Sequence, residues 1–136
     1  MDYGLRRIGL AVSDPTGTLA SPVGTLRRRR GKRPPLKALA EAADRHEVER
    51  IVVGLPLPLA GGENEWCKEV RTVGAALAER SGRPVVFVDE RFTSKQAERA
   101  VRSSGLKKRE REDKERIDAG AAALILQAFL DGAPTQ

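Results

Sequence analysis

Three carboxylates stand beside segments that should be core. Asp2 precedes Tyr3-Gly4 at the end of a very short opening strand, Glu90 follows the apolar run Val85 to Val88 and its terminal Asp89, and Asp118 lies in the first turn of the apolar helix Arg116 to Leu130. Repelling carboxylates gathered at the edge of a low-dielectric core are costly unless a cation neutralises them. Hard oxygen donors select Mg²⁺ or Mn²⁺, which keep several waters and also bind phosphate oxygens. Two such ions about 3.5 to 4 Å apart can activate a water and stabilise the leaving oxygen in an in-line attack on a phosphodiester. That chemistry needs no histidine, and this chain has only His46, set in an Ala/Glu-rich helical stretch without a motif around it. Each acid also has an ordinary explanation. A strand can end in polar residues that cap the next helix, and an acid in a first turn gains about 0.3 to 1 kcal/mol from the helix dipole.

The elements that must position these acids follow from periodicity. Arg7 to Ser13 and Val23 to Arg28 read as strands, joined by an Asp14-Pro15-Thr16-Gly17-Thr18 turn. From Pro35 the period changes, and Leu36, Leu39, Ala40, Ala43 and Val48 fall near one helical face. Arg50 to Gly54 is a short buried strand. A helix from about Glu63 to Ser81 carries Trp66, Val70, Val73 and Leu77 on one side, which assigns Trp66 and Cys67 to packing. Gly82-Arg83-Pro84 then launches the strand Val85 to Val88, whose last side chains reach the carboxyl edge of a parallel sheet, where open α/β proteins gather ligands. Thr93 can cap a helix running to about Ser104. Residues 106–115 are almost all charged and are expected to form a flexible connection, ahead of a buried helix from Arg116 to Leu130. Three opening strands that can pair antiparallel, followed by alternating helices and strands, predict an α/β fold with a mixed sheet covered by helices.

Length and composition bound the rest. The 136 residues suit one domain, 1–136, and 40% hydrophobic with 32% charged residues describes a globular chain. A single cysteine excludes an internal disulfide, and a single histidine excludes a His-rich zinc site. No run is long enough for a spanning helix and no basic-then-apolar signal opens the chain, so no membrane and a cytoplasmic location are expected. The net charge of +6 favours a polyanionic partner. Its densest block is Arg27-Arg28-Arg29-Arg30-Gly31-Lys32-Arg33, which reads equally as a phosphate-binding loop or a solvated one.

Four blocks carry a resemblance. Met1 to Asp14 (MDYGLRRIGLAVSD), Ile51 to Leu57 (IVVGLPL), Val88 to Thr93 (VDERFT) and Ile117 to Ala122 (IDAGAA) resemble, in order and across almost the whole chain, the signature segments of the YqgF (RuvX) family. That is the bacterial RuvC-like group of RNase H-like fold, described as a Holliday junction resolvase and as the nuclease that matures the 5′ end of pre-16S rRNA. The resemblance implies an RNase H-like, mixed five-stranded sheet and a site of Asp2, Glu90 and Asp118 binding Mg²⁺ or Mn²⁺, two ions by the argument above. It also implies several apolar residues ahead of Asp-Tyr-Gly. With the sequence opening at Met1, the expectation is a shortened first strand with Asp2 loosely held, or a chain start further upstream.

The expected activity is hydrolysis of phosphodiester bonds in structured nucleic acid, foremost 5′-end processing of an rRNA precursor. Arg6, Arg7, Arg28, Arg29, Lys107, Lys108 and Lys114 are candidate backbone contacts, suited to phosphates rather than base edges. Arg91 is kept with them, although an Arg beside two acids more often makes a salt bridge. Strand alternation turns Asp89 away from Glu90 and gives it a supporting role. The alternatives are a junction resolvase or other nuclease acting on branched or single-stranded DNA, and a non-catalytic RNA-binding ribosome-assembly factor. A homodimer would suit a four-way junction, although no exposed apolar stripe demands one.

Overall fold

The computed structural model describes residues 1–28, 33–93 and 110–136, with the backbone alone for 110–118. Strands β1 (Asp2–Tyr3), β2 (Arg7–Ser13) and β3 (Ala20–Arg27) form an antiparallel sheet. Helix α1 (Leu36–Arg45) leads to β4 (Ile51–Leu55), and helix α2 (Glu65–Ser81) crosses over to β5 (Val85–Asp89), which lies parallel to β4. Helix α3 (Glu110–Leu130) follows. The expected helix from Thr93 to Ser104 falls almost wholly outside the described residues. Among those described, no helix is long and apolar enough to cross a membrane.

Each turn has a local cause. The backbone N–H of Gly4 donates to the Arg7 carbonyl at 3.0 Å, and a Cβ on Gly4 would stand 2.6 Å from that oxygen, so the β1–β2 turn requires glycine. In the β2–β3 turn the Asp14 carboxylate accepts from the Thr18 N–H at 2.7 Å, the Thr16 hydroxyl at 2.8 Å and the Leu19 N–H at 3.1 Å. These bonds hold its pKa below the usual carboxylate range. Helix α2 starts at Asn64, whose side chain accepts from the Cys67 N–H, and stops at left-handed Gly82.

The strands of the described residues form two ladders, β1-β2-β3 and β4-β5. They meet at Met1, whose nitrogen donates to the Val52 carbonyl at 2.7 Å and whose carbonyl accepts from the Gly54 N–H at 3.0 Å. That is the bonding of a parallel pair, and it sets Met1 level with Val53 and Asp2 level with Gly54. A two-residue β1 is too short to extend the ladder. Asp2 is nevertheless fixed, because Met1 is buried and Asp2 pairs with Gly9 of β2.

Period-two alternation divides the core between the two faces. Met1, Tyr3, Val53 and Leu55 pack with Leu39 of α1 and with Cys67, Val70, Val73 and Leu77 of α2. Val52 and Val88 pack with Ile125 of α3 on the other face. Gln127 ties α3 to the sheet, accepting from the Ala20 N–H at 3.0 Å and donating to the Thr18 carbonyl at 2.9 Å. Three expected boundaries move. Strand β3 begins at Ala20 rather than Val23, and α1 ends at Arg45 rather than near Val48. Helix α3 begins at Glu110 rather than Arg116, so residues 110–115 of the expected flexible connection have helical backbone. Glu, Lys and Arg are good helix formers, and a charged stretch readily continues a helix already nucleated.

Candidate active site

The carboxyl edge of β1, β4 and β5 gathers the described acids. Asp2 and Gly54 occupy one level of neighbouring strands, and β5 pairs Val88 with Gly54 and Asp89 with Leu55. Glu90 lies just beyond, on a single 3-10 turn, Glu90–Phe92. Its side chain folds back over β4, which only a glycine allows. A Cβ on Gly54 would stand 2.6 Å from Glu90 Oε1, 2.9 Å from Glu90 Cγ and 2.5 Å from Ile125 Cδ1. Gly54 therefore opens the space in which the Glu90 carboxyl meets Asp2, and the two share a hydrogen bond.

Two carboxyls so close cannot both ionise freely. Burial first, and then the Asp2 charge and the shared hydrogen bond, push Glu90 up to about 8. A divalent cation would relieve the same repulsion, so the oxygen donors and their electrostatics fit a hard metal ion. No group of three or more His, Cys, Asp or Glu able to hold a metal occurs among the described residues. Asp118 lies on α3, where only the backbone is described.

The residues around Glu90 hold it in place. Asp89 is 2% exposed and accepts from the Arg91 backbone N–H at 2.9 Å, from Nε at 3.0 and 2.8 Å, and from an Nη at 2.6 Å. Burial pushes the Asp89 carboxyl up, but these bonds outweigh it and its pKa lies below the ordinary value. The other Arg91 Nη reaches the Pro58 carbonyl at 3.4 Å, linking the turn to the loop after β4. Thr93 closes the turn, its N–H and hydroxyl donating to the Glu90 carbonyl at 2.9 and 2.8 Å. The separation of Asp89 from Glu90 expected from alternation is what the side chains adopt.

The candidate arginines part ways. Arg6 is exposed in the turn after β1, and Arg7 is half-buried in β2. The sequence places Arg28 at the substrate, but the structure commits it to the fold. Its guanidinium stacks 4.4 Å above the Tyr3 ring, donates to the Gly4 carbonyl at 2.8 Å and faces Glu69 at 3.7 Å, with its side chain 10% exposed. Tyr3 stacks in turn on Trp66. Burial beneath the β1–β2 turn explains the difference: Arg28 holds the backbone that follows Asp2. Arg29, Lys107 and Lys108 lie outside the described residues, as does the Lys114 side chain. A cavity of ~720 Å³ containing His46 opens at the opposite edge, below Met1, and includes neither Glu90 nor Asp2.

Sequence reasoning missed Gly54 and the Arg28 stack. A glycine inside an apolar strand was the available signal for the first, since it marks a close approach. Nothing local announces the second.

Comparison with known proteins identifies the family. The sequence model of RuvX, a family of Holliday junction resolvases, matches residues 1–132. The chain belongs to the RuvX family. Membership makes it a nuclease, a hydrolase of phosphodiester bonds. This RuvX chain is 44% identical over 131 residues to a Koribacter versatilis protein named "Putative pre-16S rRNA nuclease", covering 96% of this chain and 84% of that one. A Syntrophomonas wolfei protein of the same name is 42% identical over 132 residues, covering 97% and 92%. Thermus thermophilus RuvC superposes with a TM-score of 0.59 at 18% identity, covering 99% of this RuvX chain and 96% of RuvC. The same enzyme in complex with a Holliday junction gives 0.60 with the same identity and coverage. The likeness identifies the fold as RuvC-like, hence RNase H-like.

Proposed function

We propose that this RuvX chain is a Mg²⁺- or Mn²⁺-dependent nuclease that processes the 5′ end of pre-16S rRNA, with Asp2, Glu90 and Asp118 holding two ions. The observation that carries the reading is the Asp2–Glu90 carboxyl pair over Gly54, capped by Ile125. Position 118 lies seven residues before Ile125, two turns back on the same helical face, with buried Ala122 between them. That register supports Asp118 as the third acid. The two ladders then act as one five-stranded sheet in the order β3-β2-β1-β4-β5, with the acids at its carboxyl edge.

Ions bound there would polarise the scissile phosphate and lower the pKa of an attacking water. The chain's own residues do the rest. Glu90, held by the Asp89–Arg91 clasp and Thr93, orients that water through its carboxylate. Asp2 fixes Glu90 from β1, and Gly54 leaves room for both. Arg6 and Arg7 take flanking phosphates, joined by Arg29, Lys107, Lys108 and Lys114, consistent with the +6 charge. Work on an rRNA precursor is consistent with a cytoplasmic location, and a homodimer would suit a four-way junction.

The test is a cleavage assay with Mn²⁺, Mg²⁺ or EDTA on a 5′-extended 16S rRNA precursor, single-stranded DNA and a four-way junction, with Asp118→Asn alongside. Metal-dependent cutting of the precursor that disappears in the variant is expected. Cutting retained by Asp118→Asn would overturn the site, and cutting of the junction alone would move the substrate to DNA, the substrate in the family's description. Salt-sensitive binding without turnover would make the chain an RNA-binding assembly factor.

A further inference from the structure

Alternation sorts the side chains of the antiparallel sheet between its two faces. Tyr3, Ile8 and Leu26 are cross-strand neighbours, and all three pack into the core covered by α1 and α2. The neighbouring levels face the other way: Asp2 stands opposite Gly9, and Arg7 stands opposite Arg27. That is the face on which α3 packs and on which Asp2 meets Glu90. The sheet therefore divides the basic block. Arg28 stacks on Tyr3 on the core face, whereas Arg27 ends β3 on the side of the acids and is exposed. Counted from Asp2, Arg7 is one strand away and Arg27 two, at about 4.8 Å per strand.

We infer that Arg27, side by side with Arg7, binds a backbone phosphate of the substrate strand near the phosphate cut at the acids. The strand then crosses the sheet from β1 towards β3, and the ligand class is sugar-phosphate backbone of either kind, irrespective of base. Three features favour this occupant. Like charges directly opposite in a ladder oppose its pairing, and a phosphate held between them turns that repulsion into affinity. Two guanidinium forks, each able to donate two parallel hydrogen bonds, match the oxygens of a phosphate. Arg7, Arg27 and Asp2 share one face of the sheet, so a single strand can reach all three. The inference rests on the nuclease reading for which phosphate is cut, but not for whether Arg27 binds one.

The experiment measures binding in EDTA, where no cleavage step intervenes, as salt is raised from about 50 to 200 mM. The probe is a single-stranded oligonucleotide of mixed sequence, offered as RNA and as DNA. Each phosphate contact contributes about 0.7 to the slope of log affinity against log salt on a single strand. Arg27→Gln is therefore expected to lessen the slope by about 0.7 and to weaken binding about fivefold at 0.1 M salt, equally on RNA and DNA. Arg27→Lys, which keeps the charge, should retain the slope. Arg28→Gln should also retain it and should lower the urea midpoint instead, because that side chain serves the fold. An unchanged slope in Arg27→Gln, an equal loss of slope in Arg28→Gln, or a loss confined to RNA would overturn the inference. A parent protein that binds neither strand would overturn it as well. A parent protein that binds but fails to cut would remove the nuclease reading and leave the Arg27 contact standing.

Discussion

Replacement of Gly54 by alanine tests whether a missing side chain builds the site. The new Cβ would meet Ile125 Cδ1 at 2.5 Å, Glu90 Oε1 at 2.6 Å and Glu90 Cγ at 2.9 Å, all closer than carbon or oxygen atoms tolerate. Relief comes by moving Glu90, by moving Ile125 and with it α3, or by a share of both. Overpacking of a filled core costs about 1 to 3 kcal/mol, against about 0.4 to 1 kcal/mol regained because alanine restricts the unfolded chain. A net loss of about 1 to 2 kcal/mol is therefore expected in urea denaturation of the metal-free protein. Catalysis should suffer more than stability, because two of the three atoms that must give way belong to Glu90. A displacement near 1 Å of a reacting group can cost roughly a hundredfold in rate. Single-turnover cleavage should fall by about that factor while the circular dichroism spectrum stays that of the parent. A double-mutant cycle sharpens the attribution: in a Glu90→Ala background the same glycine replacement should cost distinctly less stability. Gly54→Ala cleaving within threefold of the parent, or costing the same with and without the Glu90 side chain, would refute the reasoning.

Further outcomes follow from the same contacts. Folding raises Glu90 from 4.5 to about 8, so the metal-free folded state holds that proton more tightly than the unfolded chain. Its contribution to stability is complete below pH 4.5 and is lost as pH rises through about 8. Urea midpoints should therefore fall across that window, and Glu90→Gln should flatten the decline. Mn²⁺ should restore stability at the alkaline end, and a profile indifferent to Glu90→Gln would contradict the assignment. Asp89→Ala strips Arg91 of its partner and should destabilise by about 1 to 3 kcal/mol, discounted because Arg91 is 38% exposed. It should also lower kcat, and an unchanged kcat would deny the clasp its positioning role. Helix propensity alone says that Gly74→Ala should stabilise α2 by about 1 kcal/mol. Its Cβ would lie 2.5 Å from Phe87 Cζ, so a lower urea midpoint is expected, and a higher one would show that the ring yields freely.

Where local periodicity was strong, the elements were legible. The alternation of Arg7 to Ser13 and the spacing of Val70, Val73 and Leu77 correspond to β2 and α2. The charged residues before Arg116 were harder to read, because without apolar positions they carry no helical period although their backbone is helical from Glu110. Arg28 shows a different limit. Its place in a basic block suggested phosphate, but its partners Tyr3, Gly4 and Glu69 lie far away in sequence, and only the antiparallel sheet and the packing of α2 bring them to it.

The sequence by itself determined the chemistry available: acids at the ends of core elements, no histidine cluster and a cationic surface. It also separated the Asp89 side chain from that of Glu90, because the directions of neighbouring side chains are set locally. Tertiary structure decided where those acids meet. The joining of β1 to β4 through the two bonds of Met1 depends on long-range register, to which residue types give no key. The closeness of Glu90 to Asp2 depends on Gly54 and Ile125, atoms from two further elements that close-packing forces into one small volume. A sequence names the groups that can react, but their distances and the pKa values that follow belong to the packed fold.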